Sequence, residues 1–193
     1  MDNEKVSWHK FVWHKHSSLR FSIYSWIAFK EGLKTASNLA TRGISVCPSC
    51  IFCKSNLETH NHLFFECDFS FNILLRFFSR MQSMLLRSNL WQVFNYIEDQ
   101  EVTNNMKNYH FLSISAIVYF IWRSRNDRLF SNCSDSVTVI TSKIKRAVYL
   151  KIHRKNASKI CSLDLCLCCG RYTGTPWPAS SCNQGLAGCF EGL

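Results

Sequence analysis

The chain has 193 residues and is 47% hydrophobic, which suits one globular unit with a sizeable core. Its formal net charge of +10 indicates either an acidic partner or a basic surface. Eleven cysteines would suit a secreted disulfide framework, but the polar, charged start MDNEKVSWHKFVWHKH lacks a secretory leader, so we expect reduced cysteines and a nuclear or cytoplasmic location. No apolar run reaches the ~20 residues of a membrane-spanning helix, so we expect no membrane partner.

The apolar periodicity predicts a mostly α-helical domain. Apolar residues recur every three to four positions, and Thr35 is a suitable N-cap for a short helix that ends at Gly43. Ser134, Asp135 or Ser136 is expected to cap the last helix, which runs to about Lys155. Before it in the chain, helices are predicted at residues 17–30, 35–43, 63–84, 90–98 and 105–130.

The stretch CIFCKSNLETHNHLFFEC contains the strongest chemical signal in the chain. Cys50, Cys53, His62 and Cys67 follow the pattern C-x2-C-x8-H-x4-C, and thiolates and imidazoles are the ligands that structural zinc prefers. His62 and Cys67 would lie about 8 Å apart on an ideal helix, so we expect a loosened turn between them. We predict one structural zinc ion, bound in a zinc knuckle-like loop and helix.

Other interpretations of this stretch stay open. Cys47 and Cys50 also form a C-x2-C pair, so Cys47 could replace one ligand. His60 lies seven residues before Cys67, about 10 Å along a helix, and is the poorer candidate. The same residues could also be buried thiols and a surface histidine that bind no metal.

Three blocks of the sequence resemble one family. The C-x2-C pair followed by LETHNHLFFEC is similar to the zinc-binding domain attached to plant reverse transcriptases of non-LTR (LINE-type) retrotransposons. The upstream run at 8–44, WHKFVWHKHSSLRFSIYSWIAFKEGLKTASNLATRGI, resembles the lead-in of the same family. The segment 121–130, IWRSRNDRLF, resembles a downstream segment of the same elements, and the likeness covers roughly residues 7–155. His14 departs from the family pattern without affecting the zinc ligands. The matching positions are Trp8, Val12, Trp13, Trp26, Leu33, Thr35, Leu39, Gly43, Glu58, Thr59, His62, Leu63, Phe64, Phe65 and Cys67.

Composition and resemblance together predict three regions. We expect a zinc-binding domain at 7–75, a helical extension at 76–160 and a disordered tail at 161–193. The tail holds six of the eleven cysteines, five of the seven glycines and two of the three prolines, a composition that resists regular helix. A second metal site there is the alternative, but it lacks a spaced cysteine pair with a histidine. Its ligands would be Cys161, Cys166, Cys168 and Cys169.

Basic residues concentrate in the last predicted helix. Residues 134–160 carry seven lysines and arginines against one aspartate, while an apolar stripe follows the helical period. The stripe consists of Val137, Ile140, Ile144, Val148 and Ile152. We predict phosphate contacts from Lys143, Lys145, Arg146, Lys151, Arg154 and Lys155, with weaker help from Lys54. The alternative is a solvated helix face.

A second basic group lies near the end of the long helix predicted at 105–130. Arg123, Arg125 and Arg128 flank Trp122. We expect Trp122 to pack in the core rather than to stack on nucleic-acid bases.

The sequence favours a non-catalytic protein. A reverse transcriptase needs paired aspartates to hold two metal ions, and this chain has no adjacent Asp-Asp. We therefore expect no enzyme activity and no small-molecule substrate. The resemblance implies a zinc module of a retrotransposon polyprotein that helps to bind an RNA or single-stranded DNA template. The alternative is a protein-interaction domain or inert retroelement remnant that folds around zinc without binding nucleic acid.

Overall fold

The computed structural model describes residues 8–83 and 88–155, apart from the side chains of Ser83, Arg154 and Lys155. These residues are mostly helical and contain no β-strand, as the sequence predicts. Two short irregular helices accompany the α-helices: a π-type turn at His62–Glu66 and a 3-10 turn at Ser79–Ser83. The α-helices are α1 (His9–Val12), α2 (Leu19–Phe29), α3 (Ala36–Ala40), α4 (Asp68–Leu75), α5 (Leu90–Glu98), α6 (Asn104–Phe130) and α7 (Val137–Lys155).

Helix α6 forms the centre of the fold, because α1, α2, α4, α5 and α7 all pack against it. Its middle is apolar on more than one face, which is typical of a helix surrounded by others. Each large apolar side chain buried there stabilises the fold by roughly 1.5–3 kcal/mol. The buried residues of this stretch include Phe111, Leu112, Ile114, Ile117, Val118, Ile121 and Trp122.

A cluster of phenylalanines joins the first helices to the centre. The ring of Phe11 in α1 lies 5.4 Å from that of Phe94 in α5 and 5.2 Å from that of Phe111 in α6. Phe29 of α2 adds a further contact with Phe94 at 5.0 Å. These separations suit offset or tilted aromatic pairs. One core thus contains residues from both sides of position 75, and the domain boundary expected there stays a prediction.

Polar side chains define the beginnings of several helices. Thr35 accepts a hydrogen bond from the backbone N–H of Asn38, as the sequence predicts for this N-cap. Asn89 forms a reciprocal capping box with Gln92 at the start of α5. Of the three candidates for the last helix, Ser136 is the cap, because its hydroxyl accepts from the N–H of Val139 at 3.3 Å.

Helix α3 is shorter than expected, since it ends at Ala40 instead of Gly43. After Ala40 the chain tightens into turns in which the N–H of Arg42 donates to Leu39 O and that of Gly43 to Ala40 O. Gly43 itself has a φ of +73°. A glycine there permits the left-handed conformation with which helices commonly end.

The single helix expected from just after His62 to about Met84 is wrong. Phe65 has a φ of +88°, and Cys67 is extended with φ −73° and ψ 134°. Regular helix therefore begins only at Asp68 and ends at Leu75. The apolar spacing of this stretch is helical, but the left-handed residue and the extended one interrupt the backbone between His62 and α4.

None of the described helices combines the length and the apolar character needed to cross a membrane. The predicted disordered tail, and with it the alternative metal site from Cys161 to Cys169, lies outside the described residues.

Removing residues 161–193 is expected to leave the helical fold intact, because their composition differs from that of the packed core. A chain that ends at Ile160 should keep the helical circular dichroism and the thermal midpoint of the full chain. A chain that ends at Phe130 is the control, since it lacks α7 and should lose both. A large loss in the Ile160 variant would show that the tail packs on the core.

Candidate metal centre

The structure brings the four predicted zinc ligands together. One ligand atom from each of Cys50, Cys53, His62 and Cys67 lies within 4.8 Å of all the others. Cys53 Sγ is 3.3 Å from His62 Nε2, and the Sγ atoms of Cys50 and Cys67 are 3.9 Å apart. Tetrahedral zinc with ordinary bond lengths would have S–N edges of about 3.5 Å and S–S edges of about 3.8 Å. The cluster is therefore suited to one zinc ion.

The first two ligands lie in a tight loop closed by backbone hydrogen bonds. Lys54 N donates to Cys50 O at 2.8 Å, and Cys50 N donates to Asn56 O at 2.7 Å. Lys54 adopts a left-handed φ of +59°, and an isolated antiparallel bridge joins Ser49 to Leu57. This small hairpin-like turn directs the sulfurs of Cys50 and Cys53 toward the same point.

The other two ligands lie at the two ends of the π-type turn, which His62 begins and Cys67 directly follows. Thr59 Oγ1 accepts from the N–H of His62 at 3.0 Å, which fixes the start of the turn. At its end the N–H of Cys67 donates to His62 O at 2.8 Å. The loosened turn that the spacing predicts is thus present.

A buried serine stabilises the unusual backbone of this turn. Ser70 Oγ accepts from the N–H of Phe65 at 3.1 Å and donates to Cys67 O at 3.0 Å. The hydroxyl therefore bridges the left-handed residue to the extended one. Without such a partner, a left-handed phenylalanine would be strained.

The chemistry of the sulfurs also suits a cation. The hydrogen bond with Cys67, helped by backbone groups of Cys53 and Phe52, lowers the pKa of Cys50 to about 5. The same contact, together with burial, raises the pKa of Cys67 above its ordinary value. A metal that binds here would meet two sulfurs already in contact.

Burial indicates a structural rather than a catalytic metal. Cys50 and Cys67 are 0% exposed, His62 is buried and Cys53 is half-buried. Four protein ligands complete the coordination shell of zinc, whereas catalytic zinc keeps one position for water or substrate. The donor set of three thiolates and one imidazole therefore fits a zinc ion that supports the fold.

The two competing ligands lie elsewhere. Cys47 is exposed and outside the cluster, so the alternative C-x2-C pair is not the one brought together. His60 is buried, with Nδ1 3.5 Å from Thr35 Oγ1, and burial lowers the pKa of His60. Within residues 8–83 and 88–155, the four predicted ligands form the only group of at least three such side chains with a metal-binding arrangement.

Sequence reasoning missed a buried ion pair beside the metal loop. Glu58 accepts from Arg125 Nη2 at 2.7 Å and from its Nε at 3.1 Å. The two side chains are 2% and 6% exposed. Glu58 also accepts from the N–H of Ala36 at the start of α3 at 3.0 Å. The pair therefore ties the metal loop to α3 and to α6. Two signals in the sequence point to Glu58: it is the only acidic residue between the two ligand pairs, and it is one of the positions that match the resembled family.

The other arginines of the second basic group differ from one another. Arg123 is exposed and pairs with Asp127 at 3.6 Å, one turn along α6. Arg128 Nη2 donates to Asp135 O at 3.0 Å, and its Cζ contacts two aromatic rings beside the metal ligands. Trp122 is buried, as expected, with Arg125 Cζ 5.0 Å from its ring.

The predicted nucleic-acid residues do not share one face of α7. Its apolar stripe is buried as predicted, but at 100° per residue Lys143 and Lys145 project to nearly opposite sides. Lys143 Nζ lies 2.6 Å from Asp135 Oδ2, and Lys145 Nζ lies 6.0 Å from the ring of Phe77. Arg146 is exposed and Lys151 is half-buried. The side chains of Arg154 and Lys155 lie outside the described part. The role of these residues in nucleic-acid binding stays a prediction.

Residues 1–73 match the model of a family described as zinc-binding in reverse transcriptase. All four residues of the cluster lie inside the match. The family is a zinc-binding module and not a catalytic polymerase domain. No curated protein and no solved structure matches the chain.

Proposed function

We propose that this chain is a non-catalytic zinc-binding module from the polyprotein of a plant LINE-type retrotransposon. Cys50, Cys53, His62 and Cys67 bind one structural zinc ion, and the module assists the binding of an RNA or single-stranded DNA template. The observation that carries the proposal is the three-cysteine, one-histidine cluster inside a segment that matches a reverse-transcriptase zinc family.

The zinc ion supplies a cross-link between two parts of the chain. The loop at 50–53 and the π-type turn have little regular secondary structure of their own. Two ligands come from the loop and two from the ends of the turn, so metal binding and local folding are the same event. Glu58 and Thr59 lie between the two ligand pairs and position the connecting segment through their hydrogen bonds.

The charge of the chain supports contact with phosphates. The formal net charge is +10, and residues 134–160 contribute most of it. Long cationic side chains on α7 can reach phosphates while the apolar stripe stays packed. Such contacts neutralise the backbone without reading bases. We therefore expect binding that depends on salt more than on sequence.

The test has two parts, performed on the full chain. Native mass spectrometry of the purified protein should show one zinc per chain. Filter binding with a single-stranded RNA or DNA oligonucleotide should then show saturable binding whose affinity falls steeply as salt rises. Zinc without saturable binding at any salt concentration would favour the interaction or remnant alternative.

Reversing the charge of Lys145, Arg146 and Lys151 together to glutamate is expected to weaken binding to all sequences alike. Removing one cation that neutralises a phosphate should lower the salt slope by about one unit, or somewhat less for single strands. The measurement is the slope of log affinity against log salt. Circular dichroism should stay that of the parent protein.

A second triple variant controls for total charge. Changing Arg20, Lys30 and Lys34 to glutamate removes the same six units, so both variants carry a formal net charge of +4. If only the α7 variant loses affinity, the phosphates bind on that helix. Equal losses of affinity would show a diffuse charge effect, and an unchanged affinity in the α7 variant would remove α7 from the interface.

A further inference from the structure

Arg128 lies against two aromatic rings that flank the metal ligands. Its Cζ is 4.7 Å from the ring centre of Phe52 and 4.4 Å from that of Phe69. Those two rings stack on each other at 4.4 Å with an angle of 12°. Phe52 lies between Cys50 and Cys53, and Phe69 lies two residues after Cys67. One guanidinium on α6 therefore contacts both segments that supply the ligands.

The charge of a filled site explains why a cation belongs there. Three thiolates and a neutral imidazole around Zn²⁺ have a net charge of −1, and Cys50 and Cys67 are fully buried. An uncompensated buried charge is strongly unfavourable. Arg125 is already paired with Glu58, and Lys54 is exposed.

Arg128 has an unused hydrogen-bond donor beside this site. Its Nη2 donates to the backbone carbonyl of Asp135 at 3.0 Å, but its Nε is buried without a hydrogen-bond partner. Burial lowers the pKa of Arg128, whereas Asp135 and the sulfurs of Cys50 and Cys67 act in the opposite direction. The carboxylate of Asp135 has its own partner in Lys143.

We propose that Arg128 is an outer-sphere positioning residue of the zinc centre, which offsets the negative charge of the filled site and holds the two ligand segments together through Phe52 and Phe69. This inference rests on the proposed zinc binding. It makes the end of α6, far along the chain from the ligands, part of the metal site.

The experiment compares zinc affinities by competition with a chelator, using the full chain. Arg128→Met keeps much of the side-chain stem but removes the charge, and we expect its affinity for zinc to fall by about 10- to 100-fold, as when other proteins lose a side chain that supports the metal ligands. Arg128→Lys restores the charge and should recover most of the affinity. Arg123→Met is the matched control, because Arg123 is 57% exposed on the same helix and should bind zinc like the parent.

The readouts separate charge from packing. Each variant is also loaded with Co²⁺, whose thiolate charge-transfer bands should be unchanged in shape, and circular dichroism in excess chelator reports the metal-free fold. Arg128→Gln is a second neutral variant in case the methionine form does not fold. Parent-like affinity in a folded neutral variant would overturn the inference. Equal losses of affinity in the lysine and methionine variants would also overturn it, since charge would then not matter. Failure of the parent itself to bind zinc would refute the proposed function instead.

Discussion

Replacing Cys67 by serine is expected to abolish zinc binding and to loosen the segment from about Cys47 to Phe71. Cys67 lies 3.9 Å from Cys50 and closes the cluster from the π-type turn, so its removal leaves three ligands and an open shell. With free zinc at 1,000 times the Kd, metal binding contributes about 4 kcal/mol to folding. That contribution should disappear, while the rest of the helical core keeps its own packing.

The measurements are metal content by native mass spectrometry and thermal unfolding with and without added zinc. Cys53→Ser should behave in the same way. Cys47→Ser is the matched control, because Cys47 is exposed and outside the cluster, and it should keep one zinc per chain. Full zinc retention in both ligand variants would disprove the assignment. Loss of zinc from the Cys47 variant would indicate that the other C-x2-C pair is used.

The features that the sequence predicts well depend on local spacing. Helix α5 has the predicted bounds, Leu90–Glu98, because Asn89 and Gln92 form a capping box before an apolar stripe. Helix α6 begins one residue before the expected start. The zinc cluster is equally local, since all four ligands lie within one short stretch. In such cases the residue pattern contains most of the structural information.

The break between His62 and α4 could not be predicted in the same way. The residues from Leu63 onward have helical spacing, and phenylalanine has no preference for the left-handed conformation that Phe65 adopts. That conformation depends on Ser70, whose hydroxyl satisfies backbone groups on both sides of the break. A contact of one side chain with the backbone on both sides of the break thus outweighs the local helical pattern.

The ion pair between Glu58 and Arg125 shows a second limit. The partners are 67 positions apart, and a contact across that distance leaves no periodic signal in one sequence. The sequence places Arg125 in one basic group with Arg123, but in the structure Arg125 is buried whereas Arg123 is exposed. Only the packing of the metal loop against α6 distinguishes these two arginines.

Breaking this buried ion pair is expected to destabilise the fold strongly. Arg125→Met leaves the Glu58 carboxylate buried without its cation, and removing one partner of a buried pair typically destabilises a protein by about 3–5 kcal/mol. Glu58→Gln likewise leaves the guanidinium of Arg125 buried without its anion. Urea denaturation of the zinc-loaded protein, at one fixed concentration of free zinc, should show both decreases in stability. The exposed pair of Arg123 and Asp127 provides the control, since Arg123→Met should cost less than about 1 kcal/mol.

The double variant decides whether the two residues act as a unit. If they do, Glu58→Gln combined with Arg125→Met should cost clearly less than the sum of the single changes, because neither buried charge is then left alone.

Zinc affinity should fall in each single variant as well. The backbone of Glu58 donates to Pro48 O, ahead of the first ligand, and accepts from the N–H of Ser37 in α3. A displaced Glu58 would therefore move the loop that aims Cys50 and Cys53. Additive costs with unchanged zinc affinity would show instead that the pair and the metal loop are independent, and the long helix would then support the fold without positioning the site.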